Sequence, residues 1–187
     1  GWTGGESTLP ESERGMKINA PRTPGIGMFS DDIRDAVKGH VFYMDELGFV
    51  NGAADRGEEL KQAVTCAKWA KSPMQSINYL SCHDNYTLWD RFIISNSHES
   101  EEMRIRMNKL AAAILFTAQG IPFFLHGEEF ARTKISEADG APVENSYCSP
   151  LSVNAIDYDR AEQFSDLKAY YKGLIAPVSY THLTLPT

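Results

Sequence analysis

The sequence predicts an α/β fold of parallel β/α units, and three observations support this. Short apolar runs bounded by turn residues alternate with helical periodicities of roughly ten residues or more. Two of those runs end in polar, ionisable clusters, Cys82-His83-Asp84-Asn85 and His126-Gly127-Glu128-Glu129, and in parallel β/α folds ligand sites lie at such strand ends. A chain of 187 residues that is 42% hydrophobic and 23% charged also has enough apolar content for one sizeable core.

The elements follow in order. Pro10, Pro21 and Pro24 forbid a long helix near the start, so residues 1–25 read as a surface loop. Ile26-Gly27-Met28-Phe29 reads as a buried strand, and Ser30-Asp31-Asp32 caps a short helix from Asp31 to Lys38. Asp31 and Asp32, with Arg34 and Asp35, fit a solvated helix start better than a catalytic carboxylate pair. After the turn-rich stretch Gly48 to Gly57, the residues Leu60, Ala63, Val64 and Ala67 share one face of an amphipathic helix that ends before Pro73.

Gln75 to Ser81 reads as the next strand. Met103, Met107, Leu110, Ile114 and Leu115 recur at helical spacing, until Gly120-Ile121-Pro122 ends that helix and introduces a strand at Phe123-Phe124-Leu125. A loop with Pro142 and Pro150 leads to a final helix in which Leu167, Tyr170, Tyr171 and Leu174 share a face. No internal repeat of fixed period is present. A complete eight-stranded (β/α) barrel takes about 250 residues, so three strands here amount to part of one.

Composition excludes several function classes. With 25 acidic and 18 basic residues the formal net charge is −7, and no Lys/Arg run offers a basic face to nucleic acid. The longest apolar stretch, Leu110 to Phe116, is far short of the roughly 20 residues that cross a bilayer. Cys66, Cys82 and Cys148 lack C-x-x-C spacing and read as buried or free thiols. No charged-then-apolar leader follows Gly1, so the compartment, cytoplasmic or secreted, is not legible. Residues 177–187, Pro177 to Thr187, contain no Lys, Arg, Asp or Glu; they interrupt the helical pattern and resemble a translated sequencing adapter, a non-native tail excluded from fold reasoning.

The strand-end clusters admit several chemistries. His83-Asp84 fits either a sugar-gripping pair, with a carboxylate beside developing positive charge, or a polar strand cap. A nucleophilic Cys82-His83 dyad is disfavoured because adjacent strand residues point to opposite faces. His126, Glu128 and Glu129 resemble metal ligands, but H-E-x-x-H is absent and a zinc site is disfavoured. Trp2, Tyr86, Trp89, Tyr147 and Tyr158 lie in or beside loops, where aromatic rings stack on sugars or simply pack.

The run Ile77-Asn78-Tyr79-Leu80-Ser81-Cys82-His83-Asp84-Asn85-Tyr86-Thr87-Leu88-Trp89-Asp90 resembles the seventh-strand motif of type I pullulanases, glycoside hydrolases of the α-amylase superfamily. Gly1-Trp2-Thr3 resembles the continuation of their Gly-Glu-Gly-Trp motif. Met28 to Gly39 resembles their sixth-strand segment, and Gly120 to Lys134 their eighth. Glu144-Asn145-Ser146-Tyr147 extends the resemblance into the next loop.

The resemblance implies that residues 1–176 form a partial (β/α)8 TIM barrel, about the sixth to eighth β/α units, from the C-terminal part of a catalytic barrel. It implies retaining hydrolysis of α-1,6-glucosidic links in an α-glucan, with no cofactor required, no metal ligand assigned and a structural calcium left open. Asp84 matches the transition-state-stabilising Asp and His83 the sugar-binding histidine, with Asn85, Trp2, Tyr147 and Asn154 as further substrate-binding residues. The nucleophile and the acid/base have no counterpart in this chain, the acid/base Glu falling just before Gly1. Leu151 stands where the family pattern carries an acidic residue. Another member of the superfamily, an isoamylase or α-amylase, is the nearest alternative; a non-catalytic carbohydrate-binding chain is the alternative of a different class.

Overall fold

The computed structural model describes residues 7–183, with side-chain environments as far as Pro177; Trp2 lies outside the described residues. Three short strands, β1 (Met28–Ser30), β2 (Ser76–Tyr79) and β3 (Ile121–Phe123), form one sheet in the order β1-β2-β3. Both pairings are parallel, with Phe29 opposite Ile77 and Ile77 opposite Ile121. Parallel neighbours need long crossovers. Here α1 (Asp31–Lys38) and α2 (Gly57–Thr65) connect β1 to β2, while α3 (Leu88–Ser95) and α4 (Glu101–Thr117) connect β2 to β3. Three helices follow β3: α5 (Leu151–Asn154), α6 (Asp159–Gln163) and α7 (Ser165–Leu183).

Local chemistry accounts for the element ends. Asp31 and Asp32 occupy the first turn of α1 and Lys38 the last, complementing the helix dipole. Gly39 ends α1 at φ 88°, and a Cβ there would stand 2.0 Å from the Glu46 carbonyl oxygen, so only glycine fits. Thr87 and Ser100 cap α3 and α4 by accepting from the backbone N–H groups of Asp90 and Met103. Gly120 precedes β3 at φ 119°, with its missing Cβ 2.8 Å from the Ser76 carbonyl oxygen.

Several elements differ from the sequence expectation. Strand β3 is shifted towards the N-terminus of the Phe123-Phe124-Leu125 run and includes Pro122, whose missing N–H is tolerated at an edge of the sheet. Strand β2 covers only Ser76–Tyr79 of the expected run, and Ile26 lies exposed outside β1. Helix α2 stops at Thr65, although Ala67 beyond it is buried. Residues 7–25 hold two 3-10 turns, Glu11–Glu13 and Lys17–Arg22, in place of a featureless loop. Helix α7 continues through Pro177 to Leu183, with no break where the compositional shift begins. Helix α3 was not anticipated, although Thr87 and Asp90 stand at capping distance from one another.

Two clusters share the core. Ile33, Val37, Leu80, Leu88, Phe92, Ala111 and Leu115 bring together α1, the end of β2, α3 and α4. Trp89, Ala112, Phe116, Phe130, Phe164, Leu167 and Tyr171 bind α7 to the other side of α4. Helix α4 is therefore buried along two stripes, each large apolar side chain contributing about 2 kcal/mol. The sheet buries Met28, Ser30, Ser76 and Asn78, whereas Phe29, Ile121 and Phe123 are 42%, 38% and 38% exposed. Phe29 meets Tyr79 and Phe123 edge-on at 4.9 and 5.2 Å, forming an aromatic face. Among the described residues no helix is long and apolar enough to cross a membrane.

Candidate active site

The backbone leaves extended geometry directly after β2 and bends at His83, Asp84 and Asn85, with Asn85 in the left-handed region at φ 59°. An Asn tolerates that conformation better than most residues. The bend overturns the premise that Cys82 and His83 point to opposite faces. The Cys82 sulfur, a His83 ring nitrogen and an Asp84 carboxylate oxygen all lie within 4.8 Å of one another. His83 Nε2 stands 3.3 Å from Asp84 Oδ1, and the two side chains are 80% and 59% exposed. Both expected site residues are thus adjacent and open to solvent at the end of the central strand.

A second loop is fastened to this bend. The Asn145 side-chain oxygen accepts from the Asn85 backbone N–H at 2.7 Å, and Glu144 Oε1 accepts from Asn85 Nδ2 at 3.2 Å. Asn145 is also left-handed, at φ 49°. The buried Ser146 hydroxyl accepts from Lys134 Nζ at 2.7 Å and donates to Asn154 Oδ1 at 2.8 Å. Asn154 Nδ2 donates to the carbonyls of Ser146 and Ser149 at 2.7 and 3.1 Å. Asn85 and Asn154 therefore brace the loop, and Tyr147 projects from it 78% exposed. Leu151, at the start of α5, is 79% exposed.

Behind the loop, the buried Asp90 carboxylate accepts from the Thr133 hydroxyl and, at 2.9 Å, from the Lys134 backbone N–H. Burial raises the Asp90 carboxyl above its ordinary value despite these bonds. Burial also lowers the Lys134 ammonium, an effect that Arg132 reinforces and that the charges of Asp90, Cys82 and Asp84 oppose. Lys134 and Asp90 were not singled out from the sequence. The Thr87-x-x-Asp90 spacing was the available signal.

Asp31 does more than start a helix. It accepts from Lys17, from Arg34 Nη1 at 2.7 Å and from the Tyr79 hydroxyl at 3.0 Å. Burial pushes its carboxyl up, but the Lys17 hydrogen bond and the Arg34 charge outweigh that and hold it below the usual value. The cluster ties residues near the start of the chain to α1 and the C-terminal end of β2.

The His126-Glu128-Glu129 run does not converge as a ligand set. Glu129 accepts from the Gly127 N–H, and His126 meets the rings of Phe130 and Tyr158 at 6.3 and 6.1 Å. Glu128 is buried, accepting from Ser81 and, at 3.2 Å, from Tyr171. Trp89 is core, edge-on to Phe164 at 5.2 Å, whereas Tyr158 is exposed.

Burial raises the Glu128 carboxyl to about 7, against opposing pulls from Ser81, Lys38 and Tyr171. Burial likewise lowers Lys38 to about 8. A carboxyl raised on folding contributes stability at low pH, and that contribution is lost as pH rises from its unfolded value towards 7. Glu128→Gln, a neutral isostere, should therefore gain stability relative to the parent between pH 5 and pH 8, on the order of 2 kcal/mol. Paired thermal melts at the two pH values check this; a pH-independent difference would show that Glu128 ionises as easily folded as unfolded.

Comparison with known proteins fits this arrangement. No protein-family model matches the chain. A pullulanase of Bacillus subtilis is 39% identical over 175 residues, which are 90% of this chain and 24% of that protein. A crystal structure of a pullulanase from Paenibacillus barengoltzii in complex with maltohexaose and α-cyclodextrin superposes with a TM-score of 0.84 at 42% identity, over 93% of this chain and 27% of that one. Isoamylase 1 of Oryza sativa is more distant, at 25% identity over 176 residues. A parallel β/α sheet with His-Asp at its central strand end, and relatives of this kind, define a glycoside-hydrolase-related chain. The chain is homologous to type I pullulanases, and it spans about a quarter of the length of the relatives it matches.

Proposed function

We propose that this chain is the sixth to eighth β/α units of a (β/α)8 barrel in a retaining hydrolase that cleaves α-1,6-glucosidic links in pullulan, glycogen or starch dextrins. The observation that carries the reading is the exposed His83-Asp84 pair at the end of β2, beside a braced loop presenting Tyr147. The open aromatic face of the sheet and the unpaired outer edges of β1 and β3 among the described residues suit a barrel whose remaining strands come from elsewhere in a longer chain.

In this reading Asp84 grips the hydroxyls of a distorted sugar as an oxocarbenium-like charge develops, and His83 holds the same sugar. Tyr147 stacks on a neighbouring ring. Asn85 and Asn154, with their side chains engaged in the loop, act on substrate by fixing that loop. Trp2 belongs to the same site by resemblance alone. The nucleophile and acid/base come from the rest of the enzyme.

The test is linkage choice. A pullulanase-length enzyme carrying this segment should remove the α-1,6 anomeric proton signals of pullulan while leaving the α-1,4 signals intact. Loss of α-1,4 signals instead would favour an α-amylase, one of the two nearest alternatives within the class.

A further inference from the structure

We propose that Cys82, His83 and Asp84 form a capture site for a thiophilic divalent cation, zinc being the type, and that an ion held there excludes sugar from the strand end. The second half rests on the function proposed above; the first does not. Three consecutive residues offer a thiol sulfur, an imidazole nitrogen and a carboxylate oxygen, the three donor types that zinc accepts. The chain bend brings these atoms within 4.8 Å of one another. Ligand atoms around a tetrahedral zinc lie roughly 3.3 to 3.8 Å apart. His83 Nε2 and Asp84 Oδ1 already stand at 3.3 Å, and the Cys82 sulfur lies within 4.8 Å of a ligand atom on each of the two residues.

The site is open. Cys82 is half-buried, while His83 and Asp84 face solvent, so three protein ligands leave a fourth position for water. On capture the Cys82 S–H bond breaks, its proton passes to solvent and a sulfur–zinc bond forms. His83 gives its Nε2 lone pair and keeps its proton on Nδ1, and Asp84 binds as carboxylate. No electrons are transferred. Hydroxyl recognition needs the free Asp84 carboxylate and the His83 imidazole, so ion and sugar compete for the same atoms. The sulfur is what separates this arrangement from an ordinary exposed His-Asp pair, since a thiolate selects soft ions over magnesium or calcium.

Cobalt(II) and zinc provide the test. Titrating Co²⁺ into the 187-residue chain should produce a thiolate-to-cobalt charge-transfer band that stoichiometric Zn²⁺ abolishes and Mg²⁺ does not. Cys82→Ser should remove the band and weaken zinc binding at least about tenfold, while Cys66→Ser and Cys148→Ser leave both unchanged. A band that survives in Cys82→Ser overturns the site. In the pullulanase-length enzyme, zinc should inhibit competitively against pullulan, and Cys82→Ser should keep normal turnover and lose the inhibition. Zinc binding at Cys82 without inhibition would leave the metal site standing and remove its overlap with the sugar.

Discussion

In a pullulanase-length enzyme carrying this segment, Asp84→Asn is expected to lower kcat on pullulan by at least about 100-fold, with much less change in KM. A carboxylate fixed where positive charge develops contributes mainly in the transition state, roughly 3 kcal/mol or more. The amide keeps the shape and loses the charge. Asp84 is exposed beside His83 and carries no core packing, so thermal melts of the variant should match the parent. Asp31→Asn supplies the contrast. Asp31 is about half exposed while accepting from Lys17, Arg34 and Tyr79, so its loss should cost about 1 kcal/mol of stability and leave kcat near normal.

The 187-residue chain alone should release no reducing ends from pullulan. Retaining hydrolysis needs a nucleophile and an acid with carboxyl groups about 5 Å apart. Asp84, with His83 as its close neighbour, supplies neither partner. Residues that act as a unit lose nearly all of their effect when one is absent. A rate near the typical enzyme value of about 10 per second would mean that the chain's own carboxylates perform the chemistry.

Much of the fold was legible because its signals are local. The Ser30-Asp31-Asp32 start, the Gly39 stop and the 3.6-residue period of α4 are all readable from neighbouring residues. The parallel order followed from strands alternating with helices. What was not legible depends on tertiary contacts. Helix α3 is only eight residues long and follows closely behind a turn, too short for a clear helical period, and Trp89 looked like a loop aromatic until Phe164 of the distant C-terminal half closed over it. The shift of β3 depends on pairing with β2 at Ile77 and Asn78, which no local pattern encodes.

The site divides in the same way. His83 and Asp84 were readable as a strand-end pair. The bend that brings Cys82 to them was not, because alternation along a strand argues the opposite. Asn85 and Asn154 were read as substrate contacts from their resemblance, whereas their hydrogen bonds go to the loop holding Tyr147. The Lys134–Ser146–Asn154 brace spans three segments and leaves no trace in spacing alone.

Sugar held against His83 and Asp84 is the basis of the proposed activity. A crystal structure of the pullulanase-length Asp84→Asn enzyme soaked with maltotetraose tests it most directly. One glucose ring should lie within hydrogen-bond distance of both the His83 ring and the residue 84 side chain, with Tyr147 against a neighbouring ring. A maltotetraose bound on another face of the molecule, with the end of β2 occupied by water alone, would show that His83 and Asp84 do not hold the sugar.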